Sequence, residues 1–278
     1  MRATVAVIPL ALVVSCALVA CLFPDLGGLS GGDSGGVSAP GGAVLYFPFE
    51  EGAGSVTYDR SLNHHDGVLS DAGVVWTQGE VGNALAFNTI GLPDASVVVF
   101  PDDAAVGFVD VPGSDGGVVD GHASFTVAAW IFAIANPIDD APIVSSLSKT
   151  DASGFQLDTT IDVGPRSVAL KIVTATDDGG ATTIARYGAT PIALGEWYHV
   201  AGVYDAQALE LHVYLNGVSD DGTLVGAVPS ERVAAVQDLT IGKRPVPFVA
   251  SFIGTIDEVR IYARALSPSE IGDLYQSN

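Results

Sequence analysis

Near its end the chain reads GTIDEVRIYARALSPSE, residues 254–269, and within it Asp257 and Glu258 sit side by side in otherwise strand-like apolar sequence. Two carboxylates in such a setting can be a catalytic pair, metal ligands or structural fixtures. Retaining cleavage of a glycosidic bond needs carboxyl groups about 5 Å apart. On a strand, residues i and i+1 point to opposite faces, so these two are expected to look away from one another. The positions that share a face with Asp257 are Thr255 and Val259, neither of them acidic. A catalytic pair is therefore not expected here.

A second group of oxygen-bearing residues lies in DRSLNHHDG, residues 59–67. Asp59, Ser61, Asn63 and Asp66 at short spacing suit Ca²⁺, a hard cation that takes oxygen ligands. The loop is not an EF-hand, because its sixth position is His64 rather than Gly and its twelfth is Ser70. The alternative is that Asp59 and Asn63 cap their own turn through side-chain to backbone bonds. Asp257 would then satisfy backbone groups or pair with Arg60 or Arg260. His64-His65 lacks the further ligands that zinc requires. His199 and His212, in WYHV and ELHV, read as core or cross-strand partners. Trp76, in GVVWTQGE beside a turn, is a weak candidate for a sugar-binding platform, with Tyr187, Tyr204 and Phe248 weaker still. Trp130 and Trp197 read as core. No nucleophile elbow and no phosphate-binding glycine loop is visible.

What must position these residues is a set of short strands. The charged fraction is only 15 %, against 48 % hydrophobic residues, and the 33 Gly and 15 Pro come without any long helical pattern. That balance points to an all-β domain. A formal charge of -21 and the absence of any basic patch exclude nucleic acid as a partner. Residues 1–20 read as a secretory signal, with Arg2 before an apolar run. Leu18-Val19-Ala20-Cys21 resembles a bacterial lipoprotein box, so Cys21 is the expected lipidated residue, with Cys16 as the competing site. An uncleaved membrane anchor is the remaining alternative, since the run is about one span long. Residues 21–42, rich in Gly and Ser, form a tether, and residues 43–278 one domain. The expected address is the cell envelope, lipid-anchored to a membrane. Leu22 after the Cys favours the outer membrane if the source is Gram-negative.

Strand signals recur at VLYFPFE (44–50), NALAFN (83–88), ASVVVF (95–100), SFTVAAWIFAI (124–134), GFQLDTTI (154–161), SVALKIVTA (167–175) and TTIARYG (182–188). WYHVAGVYD (197–205), ELHVYLNG (210–217), DLTIGKR (238–244) and FIGTIDEVRIYAR (252–264) complete them. TDDGG and Asn216-Gly217 supply turns. Ser267-Pro268-Ser269-Glu270 is a capping box that opens a short C-terminal helix. Four blocks in order, YFPFEEGAGSVTYDRSLNHHDGVL with GEVGNALAFN, SFTVAAWI, GEWYHVAGVYDAQALELHVYLNG and IGTIDEVRIYARALSPSEIGDLY, resemble the laminin-G-like, concanavalin A-like jelly-roll domains of secreted bacterial proteins. The acidic segment between Asn88 and Ser124 departs from that pattern and is expected to be a loop excursion.

The resemblance implies a two-sheet antiparallel sandwich whose first and last strands lie side by side. It also implies a structural Ca²⁺ shared by Asp59, Asn63, Asp66 and Asp257. The implied function is non-catalytic recognition of a glycan or an extracellular protein by a monomeric domain. A glycan-cleaving enzyme on the same fold, or an adhesive surface protein, is the alternative. No strand position carries the Glu, Asp and Glu that a family-16-like hydrolase would show.

Overall fold

Along residues 155–160 and 167–175 aliphatic side chains alternate with polar ones. Phe155, Leu157, Val168, Leu170 and Ile172 enter the core, while Gln156, Asp158 and Lys171 fall between them. A period of two leaves one face of a sheet for packing and the other for chemistry. In a computed structural model of the chain, residues 41–89, 97–98, 106–114, 118–119, 121, 123–245 and 251–277 are described. The signal segment, Cys16, Cys21, most of the tether and Phe248 lie outside them.

The elements in chain order are β1 (Leu45–Phe47), β2 (Val56–Thr57), β3 (Gly67–Leu69), β4 (Val74–Gln78), β5 (Asn83–Phe87), β6 (Val97–Val98), β7 (Val109–Val111), β8 (Phe125–Ala133), β9 (Asn136–Pro137) and β10 (Ala141–Ser145). They continue with β11 (Phe155–Thr160), β12 (Ser167–Ala175), β13 (Ala181–Gly188), β14 (Trp197–Asp205), β15 (Glu210–Leu215), β16 (Val218–Ser219), β17 (Asp221–Val225), β18 (Leu239–Ile241), β19 (Gly254–Tyr262) and the helix α1 (Pro268–Gln276). One sheet runs β16-β15-β14-β8-β19-β5-β4, with β1 also paired to β19, and the other runs β17-β13-β12-β11-β10-β18-β7-β3-β2. Both are antiparallel, and β6 and β9 form a separate parallel pair. The first and last strands lie side by side, with Phe47 opposite Val259.

The inner faces of the two sheets meet in a single core that includes Phe47, Leu85, Phe125, Ile143, Leu170, Val200 and Ile256. Between β14 and β12 the sheets approach so closely that a Cβ on Gly202 would lie 2.9 Å from Leu170. The acidic segment is not merely a loop excursion. Its residues Val109–Val111 form β7, which pairs with β18 and β3 and buries both valines completely. The alternation at 109–111 is only three residues long, too short to stand out from the Gly- and Asp-rich sequence around it.

The helix starts where its capping residues require. The Ser267 hydroxyl accepts the Glu270 N–H, and the Glu270 carboxylate accepts the Ser267 N–H at 2.8 Å. Ile271 and Leu274 then seal a second apolar cluster on the outer face of the eight-stranded sheet, with Tyr46, Tyr214 and Tyr262. Ser267→Ala is expected to cost about 1 kcal/mol, read as a lower midpoint in urea unfolding with an unchanged slope.

Candidate functional site

The loop expected to hold calcium engages its side chains with its own turn and with the backbone of β1 and the residue before it. Asp59 is buried, and its Oδ1 accepts the Tyr46 N–H at 2.9 Å and the Ser61 N–H at 2.8 Å. Its Oδ2 accepts the Ser61 hydroxyl at 2.7 Å and the His65 N–H at 3.0 Å. Asp66 accepts the Asp59 N–H, and the Asn63 amide donates to the Val44 carbonyl at 2.8 Å. Asp257 takes the Val81 N–H at 3.0 Å, from the turn between β4 and β5. Asp59, Asp66 and Asp257 are thus engaged separately, and among the described residues they do not gather three ligand atoms within 4.8 Å. The geometry matches the capping alternative. We expect the melting temperature to be the same in calcium and in chelator; a calcium-dependent rise would restore the shared ion.

Asp257 and Glu258 do not face apart. Ile256 and Val259 both enter the core, and the pairing of β19 with β8 slips between Asp257 and Arg260. Glu258 occupies the extra position with φ 53°, in the left-handed region. This β-bulge turns both carboxylates to the outer face. Glu258 pairs with Arg260 and accepts the Tyr46 hydroxyl at 3.0 Å. Burial pushes the Asp257 carboxyl up to about 7, against the Val81 hydrogen bond. A Cβ on Gly79 would collide with Asp257 Oδ2, so only glycine lets that turn lie against it. Both carboxylates are sealed under protein and serve as fixtures.

Chemistry gathers instead on the outer face of the nine-stranded sheet. Gln156 on β11 lies directly opposite Lys171 on β12 and Ser145 on β10. The Lys171 ammonium donates to Asp140 Oδ1 and Asp162 Oδ2, each at 2.7 Å, and sits 3.1 Å from Asp158 Oδ2. Arg244 donates through Nε to Gln156 Oε1 at 2.9 Å and pairs through Nη2 with Asp140. The Gln156 amide in turn donates to Asp158 and, at 3.3 Å, to Asp140. Tyr187 closes one side, its hydroxyl 3.3 Å from Asp162.

All of these groups except Asp162 are buried, yet the linkage is incomplete. Among the described residues Asp158 Oδ1 and Arg244 Nη1 have no hydrogen-bond partner. Burial raises the Asp158 carboxyl to about 7 although Lys171 pulls it down. Burial also opposes ionisation of Asp140, but Lys171 and Arg244 hold it at about 2. The ligand atoms of Asp139, Asp140 and Asp162 lie within 4.8 Å of one another. Lys171 already supplies a cation to two of those three carboxylates. The arrangement therefore suits recognition of hydroxyl groups better than capture of a metal, and of the array it is Asp162 that reaches solvent.

The other expected residues are placed elsewhere. Trp76 is half-buried, packs against the core, and donates its indole N–H to the Gly54 carbonyl at 2.9 Å. Trp130 is buried on the outer face of β8 between His199 and Tyr275, and Trp197 contacts Phe132. Burial drops His199 to about 3. His212 lies between Asp221 at 2.5 Å and Glu210 at 3.2 Å, beside a groove of about 490 Å³. The sequence signal for the polar face was the alternation Gln156-x-Asp158. It reads as an ordinary solvated face until the segments bearing Asp140 and Arg244 are seen to join it.

A family model described as the concanavalin A-like lectin/glucanases superfamily matches residues 105–272. No curated protein matches the chain in sequence. Among solved structures, domain 4 of AbnA, an extracellular arabinanase from Geobacillus stearothermophilus, in complex with arabinotriose, is 19% identical with a TM-score of 0.57, over 84% of this chain and 98% of that one. The binding domain of botulinum neurotoxin serotype G is 12% identical at a TM-score of 0.56, over 84% and 51%. Trypanosoma rangeli sialidase is 18% identical at 0.52, over 85% and 33%. At these identities the likeness is one of fold.

Proposed function

Because the chain belongs to the concanavalin A-like lectin/glucanases superfamily, we propose that it is a non-catalytic module that binds a neutral glycan on the outer face of its nine-stranded sheet. The observation that carries this reading is the polar array of Gln156, Asp158, Lys171 and Arg244, which reaches solvent at Asp162. Buried ion clusters rarely add stability over apolar packing, so folding alone gives little reason to keep one. The Asp162 carboxylate, where the array reaches solvent, can accept from a sugar hydroxyl. The likeness to an arabinanase domain in complex with arabinotriose supports the same class. In its cell the module would be exported and held to the envelope through a lipidated Cys21, its tether keeping the domain clear of the membrane.

A second reading has one observation in its favour. Asp140 and Asp158 share Lys171 and Gln156 and have been driven apart to about 2 and about 7. That is the division a retaining glycosidase needs between nucleophile and acid. Against it, the ammonium contacts both carboxylates, and the outward positions of β11 read Gln156, Asp158 and Thr160, a single acid. Calorimetric titration of the chain with arabinotriose and with a panel of neutral oligosaccharides separates the two readings. Binding without cleavage, weakened about tenfold or more by Arg244→Lys, supports the module. Release of reducing ends, abolished by Asp158→Asn, would replace it with the enzyme. No binding to any neutral glycan would overturn both.

A further inference from the structure

Three loops at one end of the sandwich are drawn together by Arg166. Its guanidinium donates to the carbonyls of Thr159 and Pro137 at 2.8 Å and of Asp139 at 2.9 Å. Its own carbonyl accepts the Ile192 N–H, and the Gly195 N–H donates to Ala133 O, both at 2.8 Å. Segments 133–139, 159–166 and 192–197 are therefore linked side by side at this end.

Their surface is aliphatic. Ile134, Ile138, Ile161, Val163 and Leu194 are all exposed, Ile138 at 59 % and Ile161 at 49 %. Phe132 and Trp197, half-buried with ring centroids 5.4 Å apart, extend it. Single exposed apolar residues are ordinary, but a contiguous group framed by polar ones marks a contact surface. The exposed ionisable groups on these segments are Asp139, Asp162 and Glu196, all acidic. The one cation among them, Arg166, is buried and committed to backbone carbonyls.

The chemistry selects the occupant. Branched aliphatic side chains lack the flat aromatic face and outward hydrogen-bonding groups that favour a sugar. Three carboxylates on a chain of charge -21 repel anionic lipid. We propose that this end of the sandwich docks a protein segment that carries aliphatic side chains flanked by Lys or Arg. The aliphatic contacts supply affinity and the carboxylates orient the segment and speed its capture.

The test titrates the whole chain with a peptide alternating leucine and lysine, its leucine–glutamate counterpart, and phosphatidylglycerol vesicles. The lysine peptide is expected to bind saturably and to weaken about tenfold as salt screens the carboxylates. Ile138→Ser with Ile161→Ser should abolish binding at an unchanged melting temperature, and Asp139→Asn with Glu196→Gln should weaken it. If the double serine variant melts early, Leu194→Ser on the third loop makes the same test. The proposal is overturned if the lysine peptide does not bind, if the glutamate peptide binds as well, if the serine variants bind normally, or if only vesicles bind.

Discussion

Lys171→Met is expected to destabilise the domain by about 3–5 kcal/mol, the cost of leaving buried charge without its partner. Lys171 is 5 % exposed and contacts Asp140, Asp158 and Asp162 at once. Burial by itself would lower its pKa, yet Asp158 and Asp140 more than offset that and hold the ammonium well above its ordinary range. Methionine nearly preserves the volume of the side-chain stem, so the loss reports electrostatics rather than a cavity. Asp140 keeps Arg244 and Asp162 reaches solvent, which leaves Asp158 as the group most exposed to the change. Adding Asp158→Asn to Lys171→Met should therefore recover a substantial part of the loss. Urea unfolding at neutral pH of the two single variants and the double variant completes the cycle. A loss below about 1 kcal/mol, the range of exposed pairs, would mean that water reaches the cluster, and the sealed polar face would have to be abandoned.

What sequence reveals about this molecule depends on whether the deciding contacts are local. The hairpin of β14 and β15 was legible because two strand-forming runs flank a short turn, and Asn216 and Gly217 after it adopt positive φ as their types predict. The capping box of α1 was legible for the same reason, being four residues long. The bulge at Glu258 was not, since the rule that neighbouring residues face apart assumes an unbroken ladder. A trace of it was present. Inward residues Ile256 and Val259 are three apart, while Val259 and Ile261 are two apart, and that slip in parity is the mark of an inserted residue.

The calcium loop was hard to read for another reason. Asp59 is as suitable for backbone capping as for a cation, and its four protein donors come from both inside and outside the loop. The polar face was hidden for a third reason. Asp140, Asp158, Lys171 and Arg244 come from separate segments spanning more than one hundred residues, and each alone resembles a solvated charge. Their meeting depends on the order of strands β12-β11-β10-β18, which no local pattern encodes.

Asp257→Asn is expected to remove about half of a pH dependence that the wild-type chain should show plainly. Asp257 is fully buried, and its carboxyl is raised from an ordinary carboxylate value to about 7 by burial, with Glu258 adding to the effect. In the unfolded chain the same group ionises near pH 4. Below that pH both states hold the proton, and Asp257 carries no penalty. Between about pH 4 and 7 the unfolded chain releases the proton while the folded chain retains it, so stability falls as pH rises, and it levels off above 7. A shift of this size corresponds to roughly 4 kcal/mol across the window. Asp158 is raised to the same value by its own burial and contributes a parallel slope. Asp257→Asn should therefore halve the fall rather than abolish it, and raise stability above pH 7 while leaving it nearly unchanged near pH 4. Asparagine can still accept the Val81 N–H, so the turn between β4 and β5 keeps its anchor. The measurement is urea unfolding of wild type and variant across that range. Parallel curves would show that Asp257 is ionised in the folded chain, with a counter-charge or water at Oδ1, and the bulge would then hold a solvated carboxylate rather than a protonated one.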